Sequence, residues 1–144
     1  MKERIDAIMD RLTKSTRAAM LAFLCASIPV MAGEWVQEPA PTTSAAAWQV
    51  IDKHLAELDT QIRAGKIGNL GSPAYGIANA FKALAGLTTT LSADQRATVQ
   101  GDVQVVGREV SRLDKAGEHN DPAGVQSHLQ VLKETLAKDR AYYH

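Results

Sequence analysis

Residues 44–65 read SAAAWQVIDKHLAELDTQIRAG, and within them Trp48, Ile51, Leu55, Leu58 and Ile62 recur at 3-4-3-4 spacing. That spacing keeps one apolar stripe on one side of a 3.6-residue helix and puts Asp52, Lys53, Glu57 and Asp59 elsewhere on its surface. Ser44 reads as the N-cap and Gly65 as the residue just past the C-cap. The stretch predicts an amphipathic helix, with Leu55 among its deeply buried positions.

The same pattern returns three times. Ser72-Pro73 opens a second helix, because a proline in the first turn lacks only an N–H that has no partner there anyway. Ile77, Phe81, Leu84 and either Leu87 or Thr88 form its apolar face, while Gly76 and Gly86 each weaken it by about 1 kcal/mol relative to Ala. Ser92-Ala93-Asp94-Gln95 has the form of a capping box, and Val99, Val103, Val106, Val110 and Leu113 follow, with Gly117 as the expected stop. Asp121-Pro122 repeats the cap-plus-proline opening before Val125, Leu129, Leu132 and Leu136. Connections this short favour antiparallel neighbours, and no segment alternates with period two. The expectation is all-α: an up-down-up-down antiparallel four-helix bundle over residues 44–144, with Leu55, Val106 and Leu132 in its core.

Upstream, residues 18–31 (AAMLAFLCASIPVM) form an uncharged run of 14 residues preceded by Lys14 and Arg17. With Val30-Met31-Ala32 before Gly33, this has the three regions of a secretory signal peptide. As a helix the run would span about 21 Å, short of the roughly 30 Å of a bilayer core, so no permanent membrane anchor is expected. Residues 1–32 are therefore read as a cleavable leader, residues 33–43, with Pro39 and Pro41, as a linker, and the location as periplasmic.

Removing the leader takes away Cys25 and all four Met, leaving 112 residues with 11 basic against 13 acidic side chains. A cysteine-free chain suits an oxidising compartment. It also excludes a Cys nucleophile, thiolate metal sites, covalent haem attachment and Met-rich copper sites. The near balance of charge argues against a nucleic-acid partner, which needs a basic face. His54 and His128 each precede a seam leucine and are poorly matched in level as haem ligands. A di-iron site fails because the chain has a reversed His54-x-x-Glu57 and no Glu-x-x-His. No nucleophile elbow, zincin helix or P-loop is present, and the serines sit largely at caps.

One segment retains chemistry. Residues 114–121 (DKAGEHND) place three carboxylates and an imidazole in eight positions, and His119 with Glu118 or Asp121 is the candidate divalent-metal set. The bland alternative assigns Asp114 to a solvated helix face, Gly117 to a helix end and Asp121 to a cap. The glycine-rich stretch 65–71 reads as a flexible loop open to partner contact. In an up-down-up-down bundle it lies at the same end as 117–120.

Residues 45–143 resemble a family of small secreted bacterial helical-bundle proteins whose genes often accompany heavy-metal or copper efflux systems. The resemblance rests on Trp48-Gln49-Val50-Ile51, on Leu58-Asp59 through Ile62 to Gly65-Lys66-Ile67, and on Leu91-Ser92-Ala93-Asp94 before a Val-rich helix. Leu113-Asp114 through Gly117 and the last Leu-x-x-Leu helix ending in tyrosine complete it. Metal-binding members carry His near the start of helix two, where this chain has Ser72-Pro73-Ala74-Tyr75-Gly76. The resemblance thus implies association with a metal-handling system. The expected function is a periplasmic, non-enzymatic accessory protein that engages a protein partner without a cofactor; the alternative is weak divalent-metal binding or sensing.

Overall fold

A computed structural model describes residues 39–143. The expected leader, and the expected linker up to residue 38, lie outside the described residues. Four α-helices follow one another: α1 (Ser44–Arg63), α2 (Gly71–Gly86), α3 (Ala93–Glu118) and α4 (Pro122–Arg140). A 3-10 helix at Ile67–Asn69 joins the first two, and no strand occurs among the described residues. None of these helices is long and apolar enough to cross a membrane.

The helix ends show which local signals operate. Ser92 accepts from Gln95 N at 3.2 Å while Gln95 Oε1 accepts from Ser92 N at 2.9 Å, the reciprocal capping box. Asp121 accepts from Gly124 N at 3.0 Å, with Pro122 opening α4. At α1 the cap is Thr43, which accepts from Ala46 N at 3.1 Å, so the expected Ser44 cap is displaced by one residue. Gly65 takes φ +69°, and Lys66 N donates to Gln61 O at 2.9 Å, closing α1 in a Schellman turn.

Two ends differ from expectation. Helix α2 begins at Gly71 with Leu70 at the cap position and no side-chain cap, so Ser72 is not its cap. Ala74 N donates to Leu70 O at 3.1 Å, because the 3-10 helix feeds directly into α2 and buries Ile67 and Leu70. The 65–71 stretch is thus a packed connector rather than a flexible loop. Helix α3 runs past Gly117 to Glu118, and the left-handed residue is Asn120 at φ +53°. Asp121 N donates to Ala116 O at 2.8 Å, a second Schellman closure. Gly117 is buried inside the helix because the Ile67 carbonyl rests where its Cβ would be.

Helix α1 packs on α2, α2 on α3, and α3 on α4. Helix α4 returns to α1 through Lys133 Nζ donating to Asp59 at 2.7 Å and through Arg140 to Asp52. Residue 52 opposes 140 and 59 opposes 133, so these two helices run in opposite directions. The core joins Ile51 and Leu58 to Phe81, Val106, Leu113 and Leu132, all at most 1 % exposed. Val106 and Leu132 are buried as expected, but Leu55 is only partly buried. It flanks a groove of about 130 Å³ between α1 and α4, floored by Ile51 and Leu136. Trp48 closes one end of the molecule, edge-on to Phe81 (6.5 Å) and Tyr143 (5.9 Å), with the Arg140 guanidinium 4.5 Å above its ring.

Candidate functional site

Contact between the 3-10 helix and Gly117 brings the connections 65–71 and 117–121 to one end of the molecule. Lys66, Gly68, Asn69, Glu118, His119, Asn120 and Asp121 are exposed there, on a base held down by buried Ile67 and Leu70. Asp114 lies against Gly71 just beneath; its burial, and the neighbouring Glu118 charge, push its carboxyl above the ordinary aspartate value.

The sequence-predicted metal residues are near one another in the chain but occupied locally. His119 is the C-cap of α3, and its Nδ1 lies 2.7 Å from Lys115 O. A carbonyl can only accept, so Nδ1 is the donor in this bond and is committed to it. Asp121 spends one carboxylate oxygen on Gly124 N, and Glu118 is exposed at the last helical position. Among the described residues no group of three or more His, Cys, Asp or Glu side chains is placed to hold a metal ion.

Two other polar constellations sit deeper. Glu109, on α3, is 4 % exposed. Its Oε2 lies 2.8 Å from His128 Nδ1 on α4, and its Oε1 takes Arg112 at 3.1 Å and Arg108 at 3.5 Å. Burial alone would raise its carboxyl, but the His128 hydrogen bond and the charges of Arg112 and His128 outweigh this and hold it below the usual glutamate value. His54 makes the matching local pair, Nδ1 to Glu57 at 2.9 Å, its ring seated over Gly76, where there is no room for a Cβ. Both histidines do lie at the flank of the core, with side-chain exposures of 12 % and 27 %.

The second constellation was invisible as chemistry in the sequence. Asp139 is fully buried, and neither carboxylate oxygen has a hydrogen-bond donor. Burial, then the charge of Asp102 on α3, raise its pKa to about 6, against the opposing pull of Lys138. Lys138 itself binds Asp102 and lies 3.9 Å from Asp139. The signal was available in spacing: Val125, Leu129, Leu132 and Leu136 continue by three to residue 139, so an aspartate occupies a core position. Trp48 Nε1, toward the same end, is also buried without an acceptor.

No protein-family model matches the chain, and neither the curated proteins nor the solved structures contain a match to it.

Proposed function

We propose that the chain is an exported, non-enzymatic accessory protein of the periplasm that docks a partner protein, in the service of metal handling. In this reading the helices form an up-down-up-down bundle, and the docking surface is the end where 65–71 meets 117–121. The observation that carries it is the seating of the 3-10 helix on Gly117. That contact presents Lys66, Asn69, Glu118 and His119 on a rigid base, which reduces the ordering cost of binding. The export part rests on the leader-like residues 1–32, and the metal-handling part on the family resemblance.

A photo-crosslinking residue placed at Asn69, compared with one at exposed Gln130, tests the surface in cells. An adduct of defined mass from position 69 alone is expected. Adducts from both positions, or from neither, would sink the docking surface. Calorimetry with Zn²⁺, Cu²⁺ and Ni²⁺ near neutral pH weighs the divalent-metal alternative, since ligation needs a deprotonated imidazole. Micromolar binding that His119→Ala abolishes would replace the docking reading; weak binding unchanged by the substitution is expected.

A further inference from the structure

The end of the molecule away from the proposed docking surface holds a buried acid that has no hydrogen-bond donor, only an ion-pair contact with Lys138 Nζ at 3.9 Å. Asp139 is 0 % exposed, and both its oxygens lack donors. It sits one turn before Tyr143, which donates to Leu84 O at 3.4 Å and packs edge-on to Trp48 at 5.9 Å. The groups that face it are few. From α3 comes Asp102, from its own helix Lys138, whose ammonium is engaged by Asp102, and from the C-terminal turn beyond the helix Tyr143. On α1, Asp52 is paired with Arg140, and the single charged residue of α2, Lys82, is exposed.

Two carboxylates cannot hydrogen-bond each other, because both only accept. The Lys138 ammonium contacts both carboxylates, Asp102 directly and Asp139 at 3.9 Å, so the two acids are neighbours, and one added proton gives Asp139 an O–H that can donate toward Asp102. We propose that Asp102 and Asp139 form a proton-operated latch on the C-terminal turn: one proton shared between them keeps Tyr143 seated against Trp48, and its loss releases residues 139–143. The inference is independent of the docking surface, which lies on other residues.

The sign follows from burial. The neutral acid is the form the folded interior accepts, so the latch is closed below the folded pKa of about 6 and opens above it. Local opening of a terminal turn leaves the rest of the helices intact.

The test uses the full chain with Trp35→Phe, so that Trp48 is the sole indole. Acrylamide quenching of Trp48 and far-UV circular dichroism are followed between about pH 5 and about pH 8. The quenching constant should rise by about twofold with constant far-UV signal, as expected for a local opening. Asp139→Asn, which keeps a donor at all pH values, should leave Trp48 shielded throughout; the four histidines that titrate in a neighbouring range, His54, His119, His128 and His144, are retained, so they are controlled for. Should that variant fail to fold, Asp102→Asn carries the test, because removing the like charge should lower the midpoint. Three results would overturn the latch: quenching that does not change with pH in the parent, an unaltered transition in Asp139→Asn or Asp102→Asn, or loss of far-UV signal in step with quenching.

Discussion

His128 Nδ1 and Glu109 Oε2 stand 2.8 Å apart across the α3–α4 seam, joining a half-buried imidazole to a carboxylate that is almost wholly buried. Nineteen residues separate the two in sequence. The pair does for α3 and α4 what Asp59–Lys133 does for α1 and α4: it ties register as well as charge.

Removing the carboxylate leaves His128, Arg112 and Arg108 without their shared acceptor. Glu109→Ala should therefore cost about 2–4 kcal/mol in denaturant unfolding, more than an exposed ion pair would contribute. Because Glu109 is held below the ordinary glutamate value, the stability it contributes is present above about pH 4.5. It should fade as pH drops through the lowered value. A parent-minus-variant difference that does not shrink on acidification would contradict this assignment.

Asp139 has the opposite linkage, since its folded pKa lies above its unfolded one. Between about 3.8 and about 6 the folded state holds the extra proton, so ionisation at higher pH subtracts from stability. Asp139→Asn should raise Tm by about 5 °C at mildly alkaline pH and by much less near pH 4.5. Calorimetric scans at both pH values check it; an equal shift at both would refute the raised acid.

Glycines with and without room for a Cβ should behave oppositely. Gly101, exposed in mid-α3, has open space, and Gly101→Ala should stabilise by about 0.5–1 kcal/mol through helix propensity. Gly117→Ala must push away the Ile67 carbonyl and should cost about 1–3 kcal/mol. The same substitution should raise hydrogen exchange in residues 66–70, which Gly101→Ala should not.

Core truncations should rank by burial. Leu132→Ala, at a fully buried site, should cost about 2–5 kcal/mol. Leu55→Ala, at the partly buried edge of the α1–α4 groove, should cost about half as much, because one side of the side chain already meets solvent. Equal losses would place Leu55 in the core after all.

The proposed export makes a mass prediction. Protein recovered from the periplasm should have the intact mass of residues 33–144, and full-length chain confined to the cytoplasm would remove the basis for that location.

What the sequence alone determined is what depends on bonds within a few residues. The capping box at Ser92 and Gln95, the Asp121-Pro122 opening, the Gly65 closure and the four apolar stripes were all legible, because each is a local choice of backbone and face. The candidate metal residues were legible only as a cluster of residue types; their local occupation as C-cap and N-cap needed the backbone around Asn120.

The remainder was decided by neighbours distant in sequence. Gly117 looks like a helix stop, yet α3 continues through it because the Ile67 carbonyl, 50 residues earlier, fills the space beside it. Leu55 follows the seam spacing and still is only partly buried, because α4 approaches α1 mainly through charged side chains at Lys133 and Arg140. Asp139 falls on the apolar stripe, but only the packing of α3 and the C-terminal turn strips it of water and donors. Helical periodicity says which face a residue occupies; how completely that face is covered, and by what chemistry, depends on elements that a local pattern does not contain.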